Sequence, residues 1–260
     1  MQLPGPNNDR LQSQTCHLRV WHAATSRTQR GEFESRCERL LDQDELRSAD
    51  RFRLATSRNQ HVVGRAMARR LLGDLAVDPQ SIRFDIGQHG KPVVSHPAAA
   101  QQPFNIAHTD GLVLCGIADQ GADLVGVDVE ATGRRTSTEL AERYFSRPEV
   151  KFLRSRPAEQ QKFYFLRIWT LKEAYIKAIG TGLHTPLADF AFNHIDSDQP
   201  RIEFLATELQ DQRDWKFVCF QPRPGFIASA ALAAKQPQSP VTVDWQAFEG
   251  LDDDADDQGA

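Results

Sequence analysis

The chain has 260 residues, 40% of them hydrophobic, and a net charge of −4, which is typical of a globular protein with one or two packed cores. Its four cysteines are scattered without a Cys-x-x-Cys pair, which argues against a disulfide scaffold. The longest apolar run is far too short to span a membrane, and the first residues lack a signal-peptide pattern, so we expect a soluble, cytoplasmic protein without a membrane partner.

The charge is unevenly distributed along the chain. Residues 236–260 carry seven acidic and no basic side chains, so removing their seven negative charges from −4 leaves +3 on residues 1–235. We expect this acidic segment to be a disordered tail and the polar residues 1–14 to be a disordered lead-in. Residues 15–120 and 121–235 would then form two halves, mildly basic overall, which suits an anionic ligand without requiring nucleic acid.

The first half is predicted to contain three helices followed by short strands. Hydrophobic periodicity and capping residues give a strand at His17–His22, helices at Phe33–Leu41, Asp44–Ala55 and Ser57–Leu72, a strand at Ser81–Ile86, and a loop at Val93–Gln102. The second helix is rich in arginine. Arg47 and Arg51 are more typical of a solvated helical face, although arginines beside a cleft would bind a phosphate well.

Residues Phe104–Ile117 have the pattern of a β-hairpin, with a turn at Asp110-Gly111. His108 lies near the tip of this hairpin, and a single histidine beside a turn is more often structural than functional. Lys91, in a Gly-Lys-Pro turn, is by itself most simply an exposed lysine.

A strand at Leu124–Glu130 carries two acidic residues on one face. Strict alternation places three valines on one side and Gly126, Asp128 and Glu130 on the other, with the two acids about 7 Å apart. Gly126, having no side chain, is expected to leave open space beside the acids.

Glu149 has two interpretations that the sequence does not separate. Its spacing from Ser146 is that of a capping box, in which the glutamate accepts a hydrogen bond from the backbone N–H of the serine. A catalytic role, accepting a proton, is about equally compatible with the sequence.

The long helix predicted at Glu159–Ile179 has charged residues in an otherwise apolar surround. Trp169, Glu173 and Lys177 recur every four residues and therefore lie along one face. Because buried carboxylates need a partner or a metal, Glu173 is a candidate ligand that could join Asp128 and Glu130. Three carboxylates of this kind suit Mg²⁺, which keeps water ligands and is often shared with substrate phosphates.

The remaining strands are predicted at Phe190–Ile195, Arg201–Leu205, Asp214–Gln221 and Phe226–Leu232. Helices followed by short strands and hairpins in both halves indicate an α+β fold.

Two motifs together resemble the signatures of 4′-phosphopantetheinyl transferases. They are Gly126-Val-Asp-Val-Glu130 and Trp169-Thr-Leu-Lys-Glu-Ala-Tyr-Ile-Lys177, and the match is closest to the larger, surfactin-synthetase-activating type. It extends over about residues 35–235 through shorter motifs that occur in the expected order, namely Gly90-Lys-Pro92, Phe104-Asn-Ile-Ala-His108, Tyr144-Phe-Ser146 and Gly180-Thr-Gly-Leu183.

The resemblance implies a monomeric, pseudo-dimeric fold of two similar halves with coenzyme A in the cleft between them. It also implies Mg²⁺-dependent transfer of phosphopantetheine to a serine of an acyl or peptidyl carrier protein, releasing adenosine 3′,5′-bisphosphate. Asp128, Glu130 and Glu173 would hold Mg²⁺, while Lys177, Lys91 and His108 would contact phosphates and Trp169 would support the site. Glu173 or Glu149 would accept the serine proton.

Two other functions remain compatible with these residues. One is a carrier-protein-binding module that has lost its chemistry, against which the retained acids and Lys177 argue. The other is a Mg²⁺-dependent phosphohydrolase or nuclease, because acids on a strand and a helix serve those enzymes as well.

Overall fold

The computed structural model describes residues 15–73, 76–236, 239–249 and 251. The predicted lead-in at residues 1–14 lies outside this part of the chain. The described helices are α1 (Glu32–Glu38), α2 (Gln43–Ala49), α3 (Ala55–Gly73), α4 (Ala141–Tyr144), α5 (Arg147–Arg154) and α6 (Ala158–Ile179). The described strands are β1 (Cys16–Ala24), β2 (Arg83–Ile86), β3 (Pro92–His96), β4 (Phe104–Thr109), β5 (Leu112–Ala118), β6 (Ala122–Ala131), β7 (Phe190–Asn193), β8 (Arg201–Phe204), β9 (Trp215–Phe220), β10 (Phe226–Ala234) and β11 (Val241–Ala247).

Two sheets, each packed against one long helix, form the body of the protein. The first sheet has the strand order β11-β1-β5-β4 and packs against α3, whereas the second has the order β6-β10-β9 and packs against α6. A third apolar core lies between the sheets, to which β1 and β5 contribute from one side and β6 and β10 from the other. Strands β2–β3 and β7–β8 form separate two-stranded hairpins. The predicted mixture of helices, short strands and hairpins is confirmed.

The alternation predicted for β6 is also found. Val125, Val127 and Val129 are buried in the core between the sheets, because successive side chains of a strand point to opposite faces. Asp128 and Glu130 therefore lie on the other face of the sheet, where α6 packs. This placement is what brings strand and helix charges together.

Three predictions about the elements need correction. The loop expected at Val93–Gln102 contains strand β3, which pairs with β2. The helix predicted to reach Ala55 ends at Ala49, with Asp42 as its N-cap. The disordered tail expected from residue 236 is wrong for β11, which pairs in parallel with β1 from Cys16↔Val241 to His22↔Ala247.

Strand β11 also contacts the second sheet. The Trp245 ring stacks on Phe220 of β9 with 4.9 Å between centroids, while Phe248 is buried in the core of the first sheet. The alternation of Val241, Val243 and Trp245 with polar residues is an ordinary strand pattern that the acidic composition of the segment conceals. The C-terminal strand thus bridges both sheets.

All four cysteines are free and buried, as the scattered spacing predicts. Burial raises the pKa of Cys115 to about 12, so this thiol stays protonated and unreactive at neutral pH. No helix in the described part of the chain combines the length and hydrophobicity that a bilayer crossing requires.

Candidate active site

Gly126 sets how closely α6 approaches β6. A Cβ atom at this position would lie 2.0 Å from the backbone oxygen of Ala174 and 2.6 Å from the backbone nitrogen of Ala178. The space expected beside Gly126 is therefore filled by the backbone of α6, and the expectation of open space is wrong. Because only glycine allows this contact, the acids of β6 lie directly beside the charged face of α6.

Asp128 and Lys177 form the central ion pair of this contact. Lys177 Nζ lies 2.5 Å from Asp128 Oδ1, and the side chain of Lys177 is 29% exposed, whereas Asp128 is 5% exposed. The second oxygen, Asp128 Oδ2, is buried without a hydrogen-bond partner among the described residues. Burial raises the pKa of Asp128 to about 7, although the charge of Lys177 opposes the shift. One oxygen of this carboxylate is thus left to bind a further cation.

Glu130 forms the second ion pair, with the side chain of Arg134. Its Oε1 contacts the guanidinium of Arg134, four residues later, and its Oε2 lies 3.4 Å from the hydroxyl of Thr109. The guanidinium carbon of Arg134 lies 5.9 Å from the centre of the Trp169 ring on α6. Trp169 in turn packs edge-on against Tyr144, so the predicted supporting role of this tryptophan has a specific form.

Glu173, on α6, is the third acid beside these ion pairs. We call Asp128, Glu130 and Glu173, with Lys177 and Arg134, the acid cluster. Burial raises the pKa of its carboxyl, the charge of Lys177 lowers it, and the charge of Glu130 raises it. The same electrostatic coupling links Asp128 to both other acids. The structure therefore gathers the three predicted acids and Lys177 into one interacting group.

The cluster has one negative charge more than its cations balance. Three carboxylates face the two cations Lys177 and Arg134, so full ionisation leaves a net charge of −1. Among the residues that the structure describes, no three His, Cys, Asp or Glu side chains lie close enough together to hold one ion as they stand. The predicted metal site is thus not assembled in this conformation, in which Lys177 pairs with Asp128 and Arg134 pairs with Glu130.

The donor set nevertheless fits a hard divalent cation. Carboxylate oxygens are the ligands that Mg²⁺ prefers, the cluster has surplus negative charge when its acids are ionised, and Asp128 Oδ2 is buried without a partner among the described residues. A metal at this point would satisfy that oxygen and remove the repulsion between the acids. Its charge would then be available to a bound phosphate.

Comparison with known proteins agrees with these residues. Residues 124–234 match the model of the 4′-phosphopantetheinyl transferase superfamily. The 4′-phosphopantetheinyl transferase HetI of Nostoc sp. is 36% identical over 240 residues, covering 89% of this chain and 93% of the relative. The chain belongs to the 4′-phosphopantetheinyl transferase superfamily.

Other relatives are consistent with this assignment. The 4′-phosphopantetheinyl transferase Sfp of Bacillus subtilis is 30% identical over 194 residues, or 70% of this chain and 81% of the relative. Among solved structures, the holo-[acyl-carrier-protein] synthase of Thermotoga maritima aligns with 44% of this chain and 64% of its own, at 23% identity and a TM-score of 0.35. That score is too low to compare the arrangement of the two proteins.

Lys91 and His108 are the other predicted phosphate contacts of this transferase. Lys91 Nζ donates to the backbone oxygens of Val125 (2.9 Å) and Ala178 (2.8 Å), and burial lowers its pKa to about 8. The His108 side chain on β4 is exposed, and desolvation by neighbouring groups, followed by the positive charge of Lys177, lowers its pKa. Lys91 thus contacts both β6 and α6, and His108 interacts with the charged face of α6.

No described contact brings Arg47 or Arg51 to the interface between β6 and α6. Arg47 is exposed and pairs with Asp44, and Arg51 is exposed at the end of α2. His61 and Arg65 were not among the predicted residues. They lie one turn apart on α3, and the Nε2 atom of His61 and the Nη1 atom of Arg65 are buried without a hydrogen-bond partner in the described structure. Burial, and then the charge of Arg65, lower the pKa of His61 to about 4. Their four-residue spacing was the signal that could have identified them.

Glu149 takes the structural one of its two predicted roles. Its Oε2 accepts hydrogen bonds from the backbone N–H (2.9 Å) and the hydroxyl (2.6 Å) of Ser146, and its Oε1 accepts from the N–H of Phe192 (3.0 Å). Oε2 also lies 2.8 Å from Lys172 Nζ, and both side chains are fully buried. A carboxylate enclosed in this way does not reach a serine hydroxyl of another protein, so the catalytic assignment of Glu149 is not supported.

Proposed function

We propose that the enzyme transfers 4′-phosphopantetheine from coenzyme A to a serine of an acyl or peptidyl carrier protein, with Mg²⁺ held by Asp128, Glu130 and Glu173. The observation that carries this proposal is the unpartnered, buried Oδ2 of Asp128 inside a cluster with surplus negative charge. The identity of the transferred group, 4′-phosphopantetheine, is inferred from membership of the superfamily. Release of adenosine 3′,5′-bisphosphate, a monomeric state, a pseudo-dimeric origin of the two halves and a cytoplasmic location belong to the same proposal.

Coenzyme A is proposed to bind between the two halves. A cavity of about 660 Å³ lies there, between β3 and β4 on one side and β6 and the end of α6 on the other. Lys91 lines it, with Gly180 at the C-terminus of α6 opposite. A lysine whose charge is disfavoured by burial gains a strong partner when a phosphate enters, and this supports Lys91 as a contact.

Further phosphate contacts are proposed on the first half. Arg65 offers a buried donor without a partner, and His108 interacts electrostatically with both His61 and Lys177. The guanidinium of Arg65 supports an anion-binding role better than the exposed Arg47 does. Roles for Arg47 and Arg51 in binding coenzyme A stay predictions.

The chemistry follows from the charges of the cluster. The serine oxygen would attack the phosphorus that carries pantetheine, and the bond from that phosphorus to the bridging oxygen would break, leaving adenosine 3′,5′-bisphosphate. Glu173, whose pKa is raised, would accept the serine proton directly or through a water molecule. Bound Mg²⁺ would neutralise the pyrophosphate. Lys177 would turn from Asp128 to the phosphate and stabilise the charge that develops there.

Mass spectrometry of a carrier domain tests the proposal. Incubation of the enzyme with coenzyme A, Mg²⁺ and an apo carrier domain should add one phosphopantetheine group, and EDTA should prevent the addition. Asp128→Asn should lower the rate at least about a hundredfold, since it removes a charge from the metal site, while keeping the cooperative unfolding transition. Hydrolysis of coenzyme A without modification of the carrier would instead favour a phosphohydrolase, and binding without either reaction would favour a carrier-binding module.

Kinetics of Lys177→Ala would then test the role of the lysine. A contact that strengthens only as charge develops lowers kcat and kcat/KM together. An unchanged kcat with a raised KM for coenzyme A would restrict Lys177 to ground-state binding.

A further inference from the structure

Arg134 lies in the loop after β6 and pairs with Glu130 of the acid cluster. Its backbone is fixed by a turn in which its N–H donates to the oxygen of Ala131 (3.0 Å). The same turn is tied to the β9–β10 connection, because Thr132 donates its N–H to the oxygen of Gly225 (2.8 Å). Backbone hydrogen bonds of this loop therefore fix the position from which the Arg134 guanidinium reaches Glu130.

The side chain of Arg134 is held from two directions. Its guanidinium contacts Glu130 and lies over the ring of Trp169, which stands one helical turn before Glu173. The arginine side chain is 37% exposed, whereas that of Glu130 is only 12% exposed. A small movement toward solvent would thus uncover the carboxylate without changing the fold.

The two carboxylates of β6 differ in their readiness for a metal. Asp128 keeps one oxygen without a partner, but both oxygens of Glu130 face groups of this chain, Arg134 and Thr109. A cation that enters the cluster meets one oxygen of Asp128 that has no partner to displace among the described residues. It can bind Glu130 through Oε1 only after Arg134 has left.

We infer that Arg134 is a positioning residue that occupies the place of the metal at Glu130 in the ligand-free enzyme and is displaced when the metal binds. This inference rests on the proposed function, because it takes Glu130 to be a metal ligand. Breaking a partly exposed ion pair opposes metal binding by a small factor, about two- to fivefold in affinity. The loop would thereby lower the affinity of the free enzyme for the metal and balance the charge of Glu130 until it binds.

Titration with Mn²⁺, which prefers the same oxygen ligands as Mg²⁺, tests the inference without the reaction. Free Mn²⁺ is measured by electron paramagnetic resonance for wild type, Arg134→Gln and Arg135→Gln. The exposed neighbour Arg135 is a matched control, because its substitution removes the same charge from the same loop. We expect Arg134→Gln to bind Mn²⁺ about two- to fivefold more tightly than Arg135→Gln. Equal or weaker binding by Arg134→Gln would overturn the inference.

Trp169 provides a second readout. Metal binding to the wild type should change tryptophan fluorescence as Arg134 leaves the ring, and the change should be lost in both Arg134→Gln and Trp169→Phe. A change that persists in Arg134→Gln would contradict displacement of the arginine. If the enzyme modifies a carrier domain but the Arg134 and Arg135 variants bind Mn²⁺ equally, only the inference fails. If no protein binds Mn²⁺ and no carrier is modified, the proposed function fails as well.

Discussion

Helix α6 carries two lysine–carboxylate pairs that differ in almost every physical respect. Lys172 and Glu149 are both fully buried, and their charged atoms lie 2.8 Å apart. Lys177 and Asp128 lie 2.5 Å apart, but the lysine is 29% exposed. The two lysines are five residues apart and so point about 140° away from each other around the helix. We call the fully buried Lys172–Glu149 pair the closed pair and the partly exposed Lys177–Asp128 pair the open pair.

The closed pair has every strong hydrogen-bonding group satisfied. Lys172 Nζ donates to the backbone oxygens of Leu187 (2.6 Å) and Phe190 (2.7 Å) as well as to Glu149. Three donors therefore meet three acceptors, which is all that an ammonium group can use. Such a network joins α5, α6 and β7 and leaves nothing for a ligand.

The open pair, by contrast, retains an oxygen atom that accepts no hydrogen bond among the described residues. Asp128 retains an oxygen without a partner, and further acids lie nearby. The difference teaches that a buried ion pair by itself does not mark an active site. We propose that the functional pair is the one whose hydrogen bonds are left incomplete.

The largest expected effect comes from breaking the closed pair. Lys172→Met should lower the free energy of unfolding by about 3–5 kcal/mol, because it leaves Glu149 buried without its cation. Lys177→Met is the matched control and should cost less than about 1 kcal/mol, since Asp128, whose pKa is already raised to about 7, can take up a proton. Urea denaturation at pH 7 in EDTA measures both. Similar losses in the two variants would remove the distinction between the pairs.

A smaller loss of stability is expected when the open pair is disturbed through the backbone. Gly126→Ala should lower the free energy of unfolding by about 1–3 kcal/mol, because the new methyl group would meet the backbone of α6. It should also separate Lys177 from Asp128 and reduce transfer to the carrier. Gly133→Ala is a suitable control, because an added Cβ there would have no neighbour within 4 Å. Full activity and stability of Gly126→Ala would show that the close contact is unnecessary.

A third lysine, Lys91, has no carboxylate partner among the described residues, and its effect on stability is expected to depend on pH. Lys91 is held by carbonyl oxygens and no carboxylate, and burial lowers its pKa from 10.5 to about 8. Between these values the unfolded chain binds a proton that the folded protein lacks, so stability contributed by Lys91 rises with pH. Discounted for the cavity that it lines, the gain from pH 8 to 10.5 should be about 1–3 kcal/mol relative to Lys91→Met. Parallel stability curves for the two proteins would contradict this.

Local patterns were sufficient to predict much of the fold and the two elements that carry the acids. The alternation around Asp128 and Glu130, the helix containing Glu173 and Lys177, and the hairpin bearing His108 are all properties of neighbouring residues. Periodicity encodes such features directly.

The features that were missed depend on contacts between distant parts of the chain. Nothing near Glu149 in the sequence indicates that its carboxylate accepts from Phe192, 43 residues away, and nothing near Gly126 reveals that α6 fills the space beside it. Arg134 had a local signal, its four-residue spacing from Glu130, but its contact with Trp169 is again long-range. Tertiary packing, rather than local preference, decides these contacts.

A crystal structure of the enzyme with coenzyme A and Mn²⁺ tests the central claim most directly, because anomalous scattering locates the metal. We predict one peak about 2.1–2.2 Å from carboxylate oxygens of Asp128, Glu130 and Glu173, with Lys177 turned from Asp128 to a phosphate and the Lys172–Glu149 pair unchanged. A metal bound elsewhere, with Lys177 still paired to Asp128 and Arg134 still paired to Glu130, would contradict the assignment of the open pair as the catalytic centre.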